Sequence, residues 1–427
     1  MCRRDTDSIE TMNGHPRLLI LLVVGLVVSF ARPASAQWLT QEVPLRAGWN
    51  AVYLHVQPHP ASCDTQFAGT PVLEVHRYNQ RVRVAQFDTD PSKPFRRPAE
   101  WLTWRPDDGT NRFVRTLDAL VGDMSYLVHA ASPVTLQIRG RPMIPRREWV
   151  PGIPNLVGFQ IGPTVGAQPT FAAYFAAEPR IPVVGGPEES RLQEVDANLN
   201  GIDLTSRGRR LTMAPGRAYW IRPGAHSRYV GPMQVRTANT QGLFFDTSVN
   251  EIPFHIKNTS GATLELKVEH VRSEDPPAGM PARTGEVPLL WAELGTRTPT
   301  RQAWPVGGIQ TRSLAPGEEW GLRVAVDRQA MNSGGGGADA SAAWQSLLRI
   351  RGGGMQVHVP VGARRELPAA ARTSQTEPQS GAYPAGLWVG DQRCPILGVT
   401  NLRRDGAGKS RRRLPLADHA ETSEATE

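Results

Sequence analysis

One stretch of the chain constrains its fold more than any other, because it occurs twice. Gly48-Trp49-Asn50-Ala51-Val52-Tyr53-Leu54-His55-Val56-Gln57-Pro58 returns as Asn155-Leu156-Val157-Gly158-Phe159-Gln160-Ile161-Gly162-Pro163. In both copies an Asn leads, apolar residues alternate, and a Pro closes. This is a β-strand with one buried face, stopped by a residue that has no N–H for a ladder. Two further echoes follow in the same order. Phe67-Ala-Gly-Thr-Pro71-Val-Leu73-Glu-Val75 matches Phe175-Ala-Ala-Glu-Pro179-Arg-Ile181-Pro-Val183, and Gly122-Asp-Met-Ser-Tyr126 answers Gly216-Arg-Ala-Tyr219 one residue out of step. The matching Asn, Phe and Tyr lie 105, 108 and 93 positions apart (50 to 155, 67 to 175, 126 to 219). A period of that size is domain-sized. It predicts a tandem duplication over residues 43–145 and 146–236 rather than a solenoid.

A third unit is expected over 240–363. Phe254-His-Ile256, Leu264-Glu-Leu266-Lys-Val268, Trp320-Gly-Leu322-Arg-Val324 and Val357-His-Val359-Pro-Val361 alternate strictly between Pro-Gly and Gly-Gly turns, the pattern of an antiparallel sandwich. The fold class is therefore mainly β: two tandem β-rich modules followed by an immunoglobulin-like β-sandwich. Residues 364–385 have linker composition, and 403–427 are charged and poor in apolar residues, which predicts disorder. Between them Leu387-Trp388-Val389-Gly390 reads as the first strand of a further domain, which would make this chain the front piece of a longer protein.

Residues 1–36 read as an export signal. Arg17 precedes the apolar run 18–30, and Ala34-Ser35-Ala36 forms a small-residue cleavage site before Gln37. The run is shorter than the roughly 20 residues needed to span a bilayer. The expected address is extracytoplasmic (periplasmic, secreted or cell-surface) with no transmembrane segment after cleavage. Disulfides contribute little to this reading. Of three cysteines Cys2 leaves with the signal, and Cys63 and Cys394 are separated by more than 300 residues, so the folds must rest on core burial.

The formal net charge is +8, carried almost wholly by Arg, with Lys only at 93, 257, 267 and 409. Except for Arg411-Arg412-Arg413 and nearby Arg403-Arg404, Arg is spread along the chain instead of being gathered on one segment, which argues against a nucleic-acid partner. Envelope polysaccharide, or other surface proteins, fits a mildly basic exported chain better.

Two constellations stand out as candidate sites. Asp196-Ala-Asn198-Leu-Asn200-Gly201-Ile-Asp203 places oxygen ligands at positions 1, 3 and 5 and a Gly at 6, as a calcium loop begins. Arg207 stands where the closing Glu belongs, with Asp203 as the substitute ligand. An Asn-Gly turn between two strands is the simpler account. Calcium is the one cofactor the sequence admits. Trp101 and Trp104, beside Arg105, are candidate sugar-stacking residues, and the same residue types also close small β cores. His55, His59 and Cys63 are spaced by four, but Pro58 and Pro60 break the helix that would align them. No Gly-x-Ser-x-Gly, His-Glu-x-x-His, Cys-x-x-Cys or phosphate loop occurs, so no catalytic residue is assigned and a non-enzyme is expected. A glycoside hydrolase, which needs two carboxylates meeting in a cleft, is the weaker alternative.

Phe254-His-Ile-Lys-Asn258-Thr-Ser-Gly-Ala-Thr-Leu264, Leu314-Ala-Pro316-Gly317-Glu318 and Ser346-Leu-Leu-Arg-Ile350 together resemble the ASH-type immunoglobulin-like domains of secreted bacterial proteins. Gly48-Trp49-Asn50-Ala51 and Pro215-Gly216-Arg217-Ala218-Tyr219-Trp220-Ile221 resemble β repeats of large exported bacterial proteins. The second copy departs in having Ile153-Pro154 before Asn155. The resemblance implies a seven-stranded sandwich that acts as a spacer or interaction module. The expected role of the whole chain is that of an exported, non-enzymatic protein of surface architecture or adhesion, with carbohydrate binding through exposed Trp, with or without calcium, as the alternative.

Overall fold

The structure is a computed structural model, and it describes residues 37–79, 101–107, 109, 115–164, 166–179, 181, 192–204, 211–295, 300–333 and 343–364. Residues 1–36, expected to be an export signal, the Gly-rich stretch 334–337, Cys394 and the segment from 365 onward lie outside the described residues.

The first module contains β1 (Leu39–Leu45), β2 (Gly48–Leu54), β3 (Val56–Pro58), the short helix α1 (Cys63–Phe67), β4 (Val72–Tyr78), β5 (Trp101–Trp104), β6 (Met124–Ala130) and β7 (Val134–Pro142). Two sheets form, in the orders β1-β7-β3 and β2-β6-β4-β5. Alternation in the sequence decides what lies between them. Val43 and Leu45 from one sheet meet Val52, Leu54, Tyr126 and Val128 from the other, with Phe67 and Trp104 closing the core.

The second module contains β8 (Asn155–Gly158), α2 (Phe171–Tyr174), β9 (Leu192–Val195), β10 (Gly201–Asp203) and β11 (Ala218–Ile221), in the order β10-β9-β11-β8. Set beside β5-β4-β6-β2 of the first module, the order is the same strand for strand. The repeated residues do the same work in each. Asn50 accepts from Arg46 N (3.0 Å) and donates to Arg46 O and Gly48 O (2.9 and 3.0 Å). Asn155 accepts from Val150 N (3.0 Å) and donates to Val150 O and Ile153 O (2.9 and 2.8 Å). Each Asn thus satisfies backbone groups of the bend that leads into its strand.

Tyr126 and Tyr219 also correspond. The Tyr126 hydroxyl accepts from Val121 N (2.7 Å), and that of Tyr219 from Ala214 N (3.2 Å), each five residues back. Three residues before each Tyr the backbone turns left-handed, at Asp123 (φ 58°) and Gly216 (φ 70°). The one-residue slip in the sequence match therefore resolves: Asp123, not Gly122, stands opposite Gly216.

The third unit is a sandwich of two sheets, five- and six-stranded. One has the order β12 (Met233–Thr237), β14 (Glu251–Asn258), β20 (Glu319–Val326), β17 (Leu289–Glu293), β18 (Gln302–Trp304). The other has β13 (Leu243–Phe245), β22 (Met355–Arg364), β21 (Ala343–Gly352), β15 (Leu264–Arg272) and β19 (Ile309–Leu314), with β16 (Arg283–Gly285) pairing with β21, and a short helix α3 (Arg328–Ser333) follows β20. Phe254, Ile256, Leu322, Val324, Leu348, Ile350, Val357 and Val359 fill the space between the sheets.

Two expectations change here. Met233–Val235, expected to close the second module, forms the edge strand β12 and pairs with β14 (Met233 opposite Asn258, Val235 opposite Ile256). The sandwich also holds more than the seven strands the resemblance implied, because β12 and β18 extend the edges of one sheet, β13 adds in parallel to β22, and the short β16 pairs with the interior strand β21.

Candidate functional site

The two similar sheets pack face to face. Alternation puts Tyr53 of β2 and Leu127 of β6 on the side of the first module that faces away from its own core. They bury against Leu156 of β8, Val195 of β9 and Ala218 of β11. Tyr53 and Gly158 are equivalent positions of the repeat, and they touch. A Cβ at Gly158 would lie 2.1 Å from the Tyr53 Cβ, so one copy supplies the ring and the other the space. Backbone bonds stitch the edge of β2 to the second module: Trp49 N donates to Ala197 O (2.9 Å) and Tyr53 N to Gly216 O (2.8 Å).

The Tyr53 hydroxyl donates to Asp123 Oδ1 at 2.6 Å, and Arg146 N donates to Asp123 Oδ2 at 2.8 Å. Arg147 lies 3.9 Å from the same carboxylate, donates to Gly158 O at 2.6 Å and covers the Tyr53 ring at 5.9 Å. Burial raises the Asp123 pKa, with Arg147 and the Tyr53 hydrogen bond opposing it, and burial followed by the Asp123 charge raises the Tyr53 phenol. The group is a structural lock: each polar atom holds the seam closed. The sequence carried no motif for it. Its signal was the non-glycine Asp123 at a position where the other copy has Gly.

Around this buried centre runs a row of half-buried rings. Trp49 stacks on His129 (4.8 Å, 12°) and tilts against His76 (5.4 Å); His76 meets Trp101 edge-on (6.0 Å); and Trp101 contacts Tyr78 (5.1 Å) and Trp220 (5.9 Å). Both His76 ring nitrogens are engaged, Nδ1 with Thr103 Oγ1 (2.9 Å) and Nε2 with Glu74 (2.5 Å), and Glu74 also receives Arg105 (2.8 Å). Burial lowers the His76 pKa against the opposing pull of Glu74. Ala51 and Val195 lead from the row into a groove of about 390 Å³, whose rim carries exposed Arg46 and the ion pair Arg217–Glu194.

The predicted site residues separate. Trp101 joins the aromatic row. Trp104 turns inward on the same strand, 3% exposed, packing on Phe67 at 5.0 Å and donating to Asp64 Oδ1 at 2.8 Å, so it presents no face to a ligand. Asp196, Asn198 and Asn200 come together in the turn between β9 and β10, and Asp203 pairs with Gln193 in the ladder below. Asp196 Oδ1 accepts the N–H groups of Asn198 and Asn200 (2.8 and 2.7 Å), and Oδ2 accepts the Asn200 side-chain amide (3.1 Å). Those bonds, the Asn200 amide first, hold the Asp196 pKa down. The turn presents Ala197 O to Trp49, so it serves the seam. Among the described residues no three His, Cys, Asp or Glu side chains cluster as metal ligands, and Cys63 is buried and unbridged.

No protein-family model and no curated protein matches the chain. Solved structures give partial matches. The CupB2 chaperone of Pseudomonas aeruginosa is 14% identical over 33% of this chain and 61% of its own, with a TM-score of 0.19. The E. coli chaperone DraB is 9% identical over 32% and 56%, with a TM-score of 0.18. The CooA pilin subunit from enterotoxigenic Escherichia coli is 11% identical over 32% and 99%, with a TM-score of 0.18. The chain thus spans about three-fifths of the length of the two chaperones it matches. TM-scores this low establish no common architecture, and no property of these proteins passes to this chain.

Proposed function

We propose that this chain is an exported, non-enzymatic structural or adhesion protein of the cell surface or envelope. The observation that carries the reading is the aromatic seam itself: two sheets locked by buried bonds hold a row of half-buried rings on a fixed scaffold. A rigid scaffold that presents amphipathic rings suits recognition, since such rings offer contact area at low entropic cost. The carboxylates Glu74 and Glu194 support the non-enzymatic reading because each is paired, Glu74 with His76 and Arg105 and Glu194 with Arg217. Glu194, the one carboxylate among the described residues lining the groove, pairs with Arg217, whereas a glycoside hydrolase needs two acids facing a substrate. The apolar leader before Gln37 supports export, and no helix among the described residues is long and apolar enough to cross a membrane.

The test is made on host cells. The native product is expected in the periplasm, in the medium or on the surface, with an intact mass that begins at Gln37. Deleting the gene should reduce attachment or alter envelope integrity. A product retained in the cytoplasm with residues 1–36 still attached would overturn the reading.

A further inference from the structure

We propose that the aromatic row and the adjoining groove bind a polysaccharide chain bearing carboxylate groups, with sugar faces on Trp49 and Trp101 and a carboxylate on Arg46. The proposal rests on the adhesion reading above and names its ligand.

Three observations meet here. First, the rings are placed differently from the other aromatic clusters. Phe159, Phe171, Tyr174, Phe175 and Tyr219 also touch one another, but all are buried in the core, whereas Trp49, His76, Tyr78, Trp101, His129 and Trp220 are all half-buried. A pyranose presents a face of C–H bonds carrying slight positive charge, which is attracted to the negative face of an indole. Its hydroxyls need polar neighbours at the ring edges, and Glu74, Thr103 and Arg105 stand there.

Second, the row continues into the groove through Ala51 and Val195, so an extended chain has a path rather than a single ring to sit on. The groove volume of about 390 Å³ falls in the range of small-ligand sites, about 300–1,000 Å³.

Third, the charge is complementary to an acid. Arg46 is exposed at the groove beside Trp49. It donates to Val195 O (2.8 Å) and reaches Trp49 O (3.5 Å); the Asp196 carboxylate is near enough to feel its charge, but among the described residues no carboxylate forms an ion pair with it. The two carbonyl contacts hold the guanidinium in place while leaving donors for a ligand carboxylate, the partner its planar fork fits best. Arg105 is neutralised by Glu74 and Arg217 by Glu194, so Arg46 supplies the selecting charge.

The full chain is run in affinity electrophoresis with polygalacturonate, and with a neutral glucan as the comparison. Retardation by polygalacturonate is expected, with the neutral glucan at least ten-fold weaker and binding falling as salt rises. Trp49→Ala should weaken the polygalacturonate constant at least ten-fold. Arg46→Gln, a change of one exposed side chain, should weaken it about five-fold and erase the preference over the neutral glucan. Trp291→Ala, a half-buried Trp in the sandwich, should leave binding unchanged. Absence of retardation by polygalacturonate overturns the proposal. So does a folded Arg46→Gln protein that binds as well as the parent, or equal binding of the neutral glucan by the parent. If binding fails while Trp49→Ala and Trp101→Ala cells still lose attachment, the adhesion reading stands and the ligand is wrong. If the protein is never exported, the adhesion reading falls regardless of what it binds.

Discussion

The first module is buried on two sides, and the two seams are built differently. Against the second module it uses apolar and aromatic side chains, two edge backbone bonds, and the lock of Tyr53, Asp123 and Arg147. Against the sandwich it uses its N-terminal residues. Trp38 N donates to Ser273 Oγ (2.9 Å), Glu274 N donates to Trp38 O (3.0 Å), and Gln37 lies over Gly362 of β22. This second seam is polar and incompletely paired. Gln37 Nε2, Trp38 Nε1, Arg141 Nε and Gln345 Oε1 are buried without a hydrogen-bond partner among the described residues. His358, 8% exposed, lies on the same outer face of β22, near enough to feel the charge of His55, Arg349 and Arg351. A buried polar atom without a partner costs stability that a paired one does not. Ser125 Oγ, opposite Tyr53 in the ladder, is likewise buried without a partner among the described residues at the first seam, but the second seam carries more such atoms, which makes it the weaker of the two.

The largest effect should come from breaking the lock in the tight seam. Asp123→Ala leaves Arg147 half-buried beside Tyr53 without its counter-charge. A loss of about 4 kcal/mol in urea unfolding is expected; a loss below 1 kcal/mol would mean that the lock does not hold the seam. Gly158→Val comes next. It fills the space that Tyr53 occupies, with an expected cost of about 3 kcal/mol and a fall in the unfolding midpoint at unchanged urea dependence.

Acid should act on the weak seam. Burial lowers His55 to about 4 and, first among its causes, His358 to about 3, from an ordinary 6.5. In the unfolded chain both take up a proton as the pH falls through 6.5, while in the folded chain they stay neutral. The stability they contribute is present above pH 6.5 and is lost as the pH falls toward 4, at about 1.4 kcal/mol per histidine for each pH unit. Hydrogen exchange at pH 5 should rise first at Glu274 N, which is bonded to Trp38 O, and later at Tyr53 N. His358→Gln should remove about half of the pH slope. Equal exchange at both amides would erase the contrast between the seams.

The smallest effect concerns the turn at 196–200. Asp196→Ala should lower the melting temperature slightly, because an exposed turn loses its internal bonds while Ala197 O still meets Trp49. Millimolar calcium is expected to leave the parent's melting temperature unchanged. A calcium-dependent rise in the parent that disappears in Asp196→Ala would make the turn a metal site after all.

These contrasts show what could be read in advance. Alternation and turn residues placed the strands, because a half-buried strand must repeat with period two and stop where Pro or Gly interrupts the ladder. Asn50 and Asn155 were legible as a repeat, although their role in capping a bend was not. Trp104 and Trp101 were indistinguishable as letters. They sit three apart on one strand, and only the sheet's neighbours send one into the core and leave the other half-buried.

By itself, the sequence determined a mainly β chain, the duplicated strand, and the Asn and Tyr that anchor each copy. Those properties are local, decided by side-chain periodicity and by hydrogen bonds within a few residues. Only the tertiary structure decided that the two similar sheets lie face to face, that Tyr53 of one fills the space left by Gly158 of the other, and that Trp49 and Trp220, 171 positions apart (49 to 220), belong to one aromatic row. Such pairings depend on which surfaces remain apolar after each sheet has buried its own core, and no local pattern encodes that choice.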